Sequence, residues 1–160
     1  MPRISIRPAI ADDAPLLLAF VLELGAFEKL SDEVVATEDR IRETLFGARP
    51  AALALLAEVD GAPAGFAIYF HNYSTFLARP GLYLEDLFVR PAFRRVGVGR
   101  ALLAHLARVA IEHGCGRFEW AVLDWNQPAI DFYQSLGARP MNEWTVFRLT
   151  GEALRNLAGA

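Results

Sequence analysis

The sequence predicts a mixed α/β domain, α+β in layout, with a mostly antiparallel central sheet and helices on both faces. Three observations carry that expectation. The turn signal Asp60-Gly61 sits inside "LALLAEVDGAPAGFAIYF", between two apolar runs, and so makes an antiparallel hairpin. The strand–helix–strand run from Leu82 to Leu123 is a crossover, which leaves its two strands parallel. The 160 residues, 54% of them hydrophobic, fit one folded domain, read as spanning 1–160.

The elements follow in order. "ISIR" (Ile4 to Arg7) alternates as a first strand. "ADDAPLLLAFVLELGAF" is a helix that Asp12 or Asp13 can cap, with Pro15 in the first turn, where its missing N–H costs nothing. Thr37, followed by Glu38 and Asp39, starts a second helix that stops at Gly47 and Pro50. The hairpin strands come next, then a fourth strand, "LYLEDLFV". Gly97 to His113 is a long helix with Val98, Leu102, Leu106, Val109 and His113 on one stripe. "RFEWAVL" (Arg117 to Leu123) is a fifth strand. Asn126 caps a helix with Pro128 in its first turn and Gly137 at its end. "WTVFRL" (Trp144 to Leu149) is expected as a last strand.

Net charge is −3, so no overall basic field holds nucleic acid, and no nucleic-acid partner is expected. The longest apolar runs fall short of a membrane span and the first residues lack a signal peptide's sections, so a cytoplasmic location is expected. Cys115 is the only cysteine, which excludes an intrachain disulfide; between Gly114 and Gly116 it reads as a buried, inert thiol. His71, His105 and His113 have no zinc-ligand spacing, and no metal is expected.

"RRVGVG", Arg94 to Gly99, stands at the mouth of the long helix. Glycines there let a backbone approach a ligand, and the helix's first N–H groups offer an anion site. The plainer alternative is a tight strand-to-helix turn. A P-loop is excluded, because no G-x-x-x-x-G-K-[ST] is present. A dinucleotide site fits poorly: Leu102 occupies the third glycine position, and "RPAFRRV" separates strand from glycine.

The run from Arg94 to Gly99 resembles the R/Q-x-x-G-x-G/A signature of the GCN5-related N-acetyltransferase (GNAT) family. "IRPA", Phe27-Glu28, Thr37-Glu38, "GFAIYF", "LYLEDLFV", "WNQPAIDFY" and the Trp144 segment are similar, in order, to the diamine (spermidine/spermine) acetyltransferases. The resemblance implies a splayed parallel strand pair and acetyl-coenzyme A as acetyl donor. Amides of Arg95, Val96, Gly97, Val98, Gly99 and Arg100 would hold the pyrophosphate, beside Arg94. The donor's pantetheine arm would pair with the backbone of Leu87, Phe88 and Val89. Asn126 would touch that arm while capping its helix, and Tyr133 would be the general acid. Phe27, Glu28, Glu85 and Glu143 would face the amine, and a homodimer is implied. Two departures bear on which amine is used: Phe27 stands where diamine enzymes often have tyrosine, and the stretch from Gly137 to Trp144 is short and poor in acids.

The expected reaction is transfer of an acetyl group to the primary amine of a small cation, a polyamine or a thialysine-like amino acid. An aliphatic amine has a pKa of roughly 10.4, about six units above a glutamate's 4.3, so outright deprotonation would cost roughly 8 kcal/mol. A carboxylate such as Glu85 is better suited to bind the cation and take its proton as attack proceeds, directly or through water. Strand alternation puts Glu85 and Asp86 on opposite faces unless a bulge intervenes. Glu85 is therefore assigned to the substrate side, and Asp86 to a structural role satisfied by hydrogen bonds. Acetylation of protein lysines or N-termini, and a silent acetyl-coenzyme A-binding module, are the alternatives; a silent module needs neither Tyr133 nor Glu85.

Overall fold

In the computed structural model, which describes residues 1–160, the chain divides into two compact units, Met1–Ala121 and Val122–Ala160. The first holds one five-stranded sheet in the order β1-β2-β3-β4-β5: Ile4–Pro8, Leu53–Val59, Ala62–Ser74, Arg79–Val89 and Phe118–Trp120. Neighbours up to β4 are antiparallel and β4–β5 is parallel, as the hairpin and crossover signals require. Asp60 and Gly61, at φ 50° and 83°, are both left-handed, which is the two-residue turn that Asp-Gly favours. The middle strands run longer than their apolar cores suggest, while β5 keeps only three of the seven residues expected.

Helices α1 (Ala14–Phe27) and α2 (Glu38–Phe46) cover one face. Leu17 and Phe20 of α1 and Ile41 of α2 share a buried cluster with Leu56, Phe66 and Phe88. Phe20 and Phe66 stack at 5.3 Å. Thr37 caps α2, its Oγ1 accepting the Arg40 N–H at 3.2 Å. Asp13 stands at the start of α1 but turns its carboxylate to the Arg7 guanidinium at 2.7 Å and the Ile10 N–H at 2.8 Å. Arg7 holds the Asp13 pKa below its usual value.

Helix α3 (Val98–Glu112) covers the other face, burying Val98, Leu102, Leu103, Leu106 and Ala110. The buried stripe is therefore turned slightly from the expected one: Val109 is half-buried and His113 is exposed. Cys115 is half-buried too, not buried as expected, because it lies in the open turn after the helix. At the far end of α1, Arg90 grips Glu23 with its Nη2 at 2.8 Å and lies over Phe20. That ion pair ties the end of α1 to the end of β4.

In the second unit α4 (Gln127–Ser135) forms with Asn126 as N-cap and Pro128 in its first turn, as expected. The last strand does not form. Trp144 to Leu149 joins no ladder; β-branched and aromatic residues fit a segment for a sheet but cannot supply the partner edge. A helix absent from the sequence reading, α5 (Gly151–Ala158), follows and ends at Gly159, whose φ of 71° suits glycine.

Candidate active site

The first unit gathers three features around the end of β4. The strand edge comes first. β5 pairs with β4 only over Leu82–Leu84, so Glu85 to Val89 have no strand on that side. Leu87 and Val89 thus turn backbone groups to an open edge, which an extended amide-bearing ligand can join, whereas the Phe88 carbonyl faces Gly65 of β3.

The second feature is the turn before α3. Arg95 and Gly97 are left-handed, at φ 67° and 100°, an alternation that gathers backbone N–H groups into an anion-binding concavity. Helical hydrogen bonding begins with Ala101 N–H to the Gly97 carbonyl at 2.9 Å, and none of the amides from Arg95 to Arg100 makes a backbone bond. With the helix dipole behind them, these N–H groups suit a phosphate or pyrophosphate. A Cβ on Gly99 would meet only Leu87 and Val89 side-chain atoms at 4.0 Å, so the room beside it is open. The Arg94 side chain turns elsewhere. Its Nε donates to the Val89 carbonyl at 2.8 Å, and its guanidinium lies 4.8 Å from the Phe27 ring centre and 5.5 Å from that of Phe88.

The third feature is acidic. Asp86 lies opposite Ile68, and Leu84 opposite Tyr69, so Glu85 is the extra residue of a β-bulge. This overturns the expected split of Glu85 and Asp86. Ile68 and Phe88 pack with the α1–α2 cluster, so Asp86 faces that side. Leu87 and Val89 point the other way, toward Gly99 of α3. Counting back from Leu84, Glu85 faces the α1 side as well, because the bulge repeats a side instead of alternating. Two adjacent carboxylates therefore share one face.

Their electrostatics agree. Burial first, then the negative charges of Glu85 and Glu28, push the Asp86 pKa from 3.8 up to about 6. No hydrogen bond is among the causes, which removes the structural role expected for Asp86. Glu28, at the C-terminal end of α1, is raised by burial. Burial and then Glu85, Glu119 and Asp86 raise the Tyr83 phenol as well. Phe27, next to Glu28, sits 6.1 Å from Phe88, so the end of α1 and the end of β4 meet. The sequence reading put Asp86 on the wrong face and passed over Tyr83, because a bulge depends on the partner strand. The adjacent acids in "LEDL" are the only local hint.

Asp86 yields a pH prediction. Its folded pKa lies above the unfolded value, so its stabilising contribution is full below pH 3.8 and lost as pH rises through about 6. At pH 8 the ionised group costs up to roughly 3 kcal/mol. Asp86→Asn is expected to melt above the parent at pH 8, with the gap closing toward pH 4. Equal melting temperatures at pH 8 would contradict the crowding of carboxylates.

The second unit carries the remaining residues. Asn126 Oδ1 accepts the Ala129 N–H at 3.4 Å, which leaves its amide NH2 to donate elsewhere. Tyr133 lies on α4, half-buried, with its ring 5.8 Å from that of Phe132. Neither aromatic is fully buried. Glu143 is exposed in the turn closed by the Trp144 N–H and Met141 carbonyl at 3.2 Å.

Residues 20–138 match the family model described as the acetyltransferase (GNAT) family. The chain is 41% identical to the thialysine N-epsilon-acetyltransferase of Sus scrofa, over 99% of both chains. It is 34% identical to an L-ornithine N5-acetyltransferase of Arabidopsis thaliana, over 94% of this chain and 86% of the other. Among solved structures, an integron cassette protein from the mobile metagenome of V. cholerae superposes with a TM-score of 0.83 at 27% identity, over 98% of each chain.

Proposed function

This chain belongs to the GNAT family of acetyltransferases, and from that premise we propose that it acetylates the primary amine of a small cationic substrate, a diamine, polyamine or thialysine-like amino acid. The observation that carries the reading is the acidic face of Glu28, Glu85 and Asp86 beside an open strand edge. A cationic amine has a counter-charge there, and a second ammonium or an α-amino group has another. The relatives named for thialysine and ornithine acetylation act on such molecules.

Acetyl-coenzyme A supplies the activated acetyl thioester. The amides from Arg95 to Arg100 would hold its pyrophosphate, and the backbone of Leu87 to Val89 its pantetheine arm, with Arg94 bracing the strand end and Asn126 donating to the arm. Glu85 neutralises the ammonium and takes its proton as the nitrogen attacks, directly or through water. By the family resemblance, Phe27, Glu28 and Glu143 would face the amine. Tyr133 would deliver its phenolic proton to the departing thiolate. The 160 residues work as one acetyltransferase domain, within a homodimer. Exposed apolar side chains support a dimer: Trp144 at 77%, Val146 at 87% and Phe147 at 92% exposure give a second copy a surface to cover.

Glu85→Gln tests the charge reading. The variant keeps shape and removes the negative charge. Release of the coenzyme A thiol is expected to fall more for diamines than for monoamines with neutral tails. Equal losses for every amine would contradict recognition of a distal charge by Glu85.

A further inference from the structure

His71 and His113 take no part in the reaction proposed above, and no sequence spacing pairs them. The fold brings them together across 42 positions, with Nε2 of His71 3.0 Å from Nδ1 of His113. The ring centres are 5.0 Å apart and the planes are inclined by 32°. Both side chains are exposed, so an ion and its waters have access. Both also sit on firm elements. His71 pairs with Leu82 across β3–β4, and His113 caps α3 through its N–H to the Val109 carbonyl at 3.0 Å.

The two nitrogens share a hydrogen bond, and their spacing is also that of adjacent metal ligands once the bridging proton moves to the far nitrogen of its ring. Two imidazole nitrogens about 2.0–2.1 Å from one ion, at tetrahedral or right angles, lie about 3.0–3.4 Å from each other. Neutral imidazole is the ligand form. No third histidine, cysteine or carboxylate completes a larger set, so water fills the remaining positions.

We propose that His71 and His113 form a two-imidazole chelate for a borderline divalent ion, Cu²⁺, Ni²⁺ or Zn²⁺, which clamps β3 to the C-terminal end of α3. Imidazole donors favour these ions over Mg²⁺, and Cu²⁺ binds tightest of the three. The chelate lies at the opposite end of α3 from Gly97, roughly 24 Å away by helical rise, and is separate from the proposed acetyl transfer.

The test uses the full chain without a histidine tag. Its melting temperature is expected to rise with Ni²⁺, Zn²⁺ and Cu²⁺ but not with Mg²⁺, and to keep rising with the logarithm of free ion above the dissociation constant. The rise should shrink as the pH falls and protons compete with the ion for the rings. His71→Gln and His113→Gln should each abolish it, and His105→Gln should keep it. In the unmodified protein, substoichiometric Ni²⁺ should broaden the NMR signals of the His71 and His113 rings first. No shift with any of the three ions would overturn the proposal. So would a shift that survives both glutamine changes, or broadening centred elsewhere, at Cys115 for instance.

Discussion

Tyr133→Phe is expected to lower the turnover number about 10²- to 10⁴-fold, the span that general acid catalysis supplies, while acetyl-coenzyme A affinity changes little. A phenol with an unperturbed pKa of about 10 is protonated at neutral pH and close in acidity to a thiol, so it can return a proton to a thiolate without a large energetic step. Phenylalanine removes only the hydroxyl. The ring contact with Phe132 survives, as do the main-chain bonds that the Tyr133 carbonyl accepts from Leu136 and Ala138 at 3.1 and 3.2 Å. A melting temperature measured beside the rate separates lost packing from lost catalysis. Turnover, cofactor affinity and melting are to be measured on one preparation. Near-normal turnover in a folded variant would make Tyr133 a packing residue.

Gly99→Val is expected to raise the Michaelis constant for acetyl-coenzyme A by about 10- to 100-fold, the worth of one or two hydrogen bonds to a charged group. The bare chain has room for a Cβ at this position. The first added carbon meets its neighbours at an ordinary 4.0 Å, and valine is a better helix former than glycine. The loss is expected because the new methyl groups would crowd the space that phosphates must share with the amides. Gly97 is a less decisive probe, because its φ of 100° strains any side chain whether or not a ligand binds. A folded Gly99→Val protein with unchanged cofactor affinity would remove the phosphate-cradle reading.

What could be read in advance was written locally. Thr37 before an acidic turn, Asp60-Gly61, Gly97 at the head of a helix, and Asn126 with Pro128 each encode their geometry within a few residues, and each element formed. What could not be read depends on a second strand. The bulge at Glu85 exists because β3 and β4 pair with one residue to spare, and alternation within β4 alone put Asp86 on the wrong side. The Trp144–Leu149 segment has the composition of a strand, but composition does not provide a neighbouring edge. α5 escaped notice because a glycine opens it and only eight residues form it. The meeting of His71 with His113 likewise belongs to tertiary structure, since 42 residues separate them.

The central claim is that this acetyltransferase serves small cationic amines, and its most direct test is a substrate panel. Purified chain would be given acetyl-coenzyme A with spermidine, a short diamine, thialysine, ornithine, a neutral-tailed monoamine, and peptides bearing lysine or a free N-terminus. Thiol release and the mass of the acetylated product are the readouts. The diamines or the amino-acid amines are expected to have the highest kcat/KM, with the peptides well behind. Peptides acetylated faster than every small amine, or acetyl-coenzyme A bound with no amine turned over, would contradict the claim.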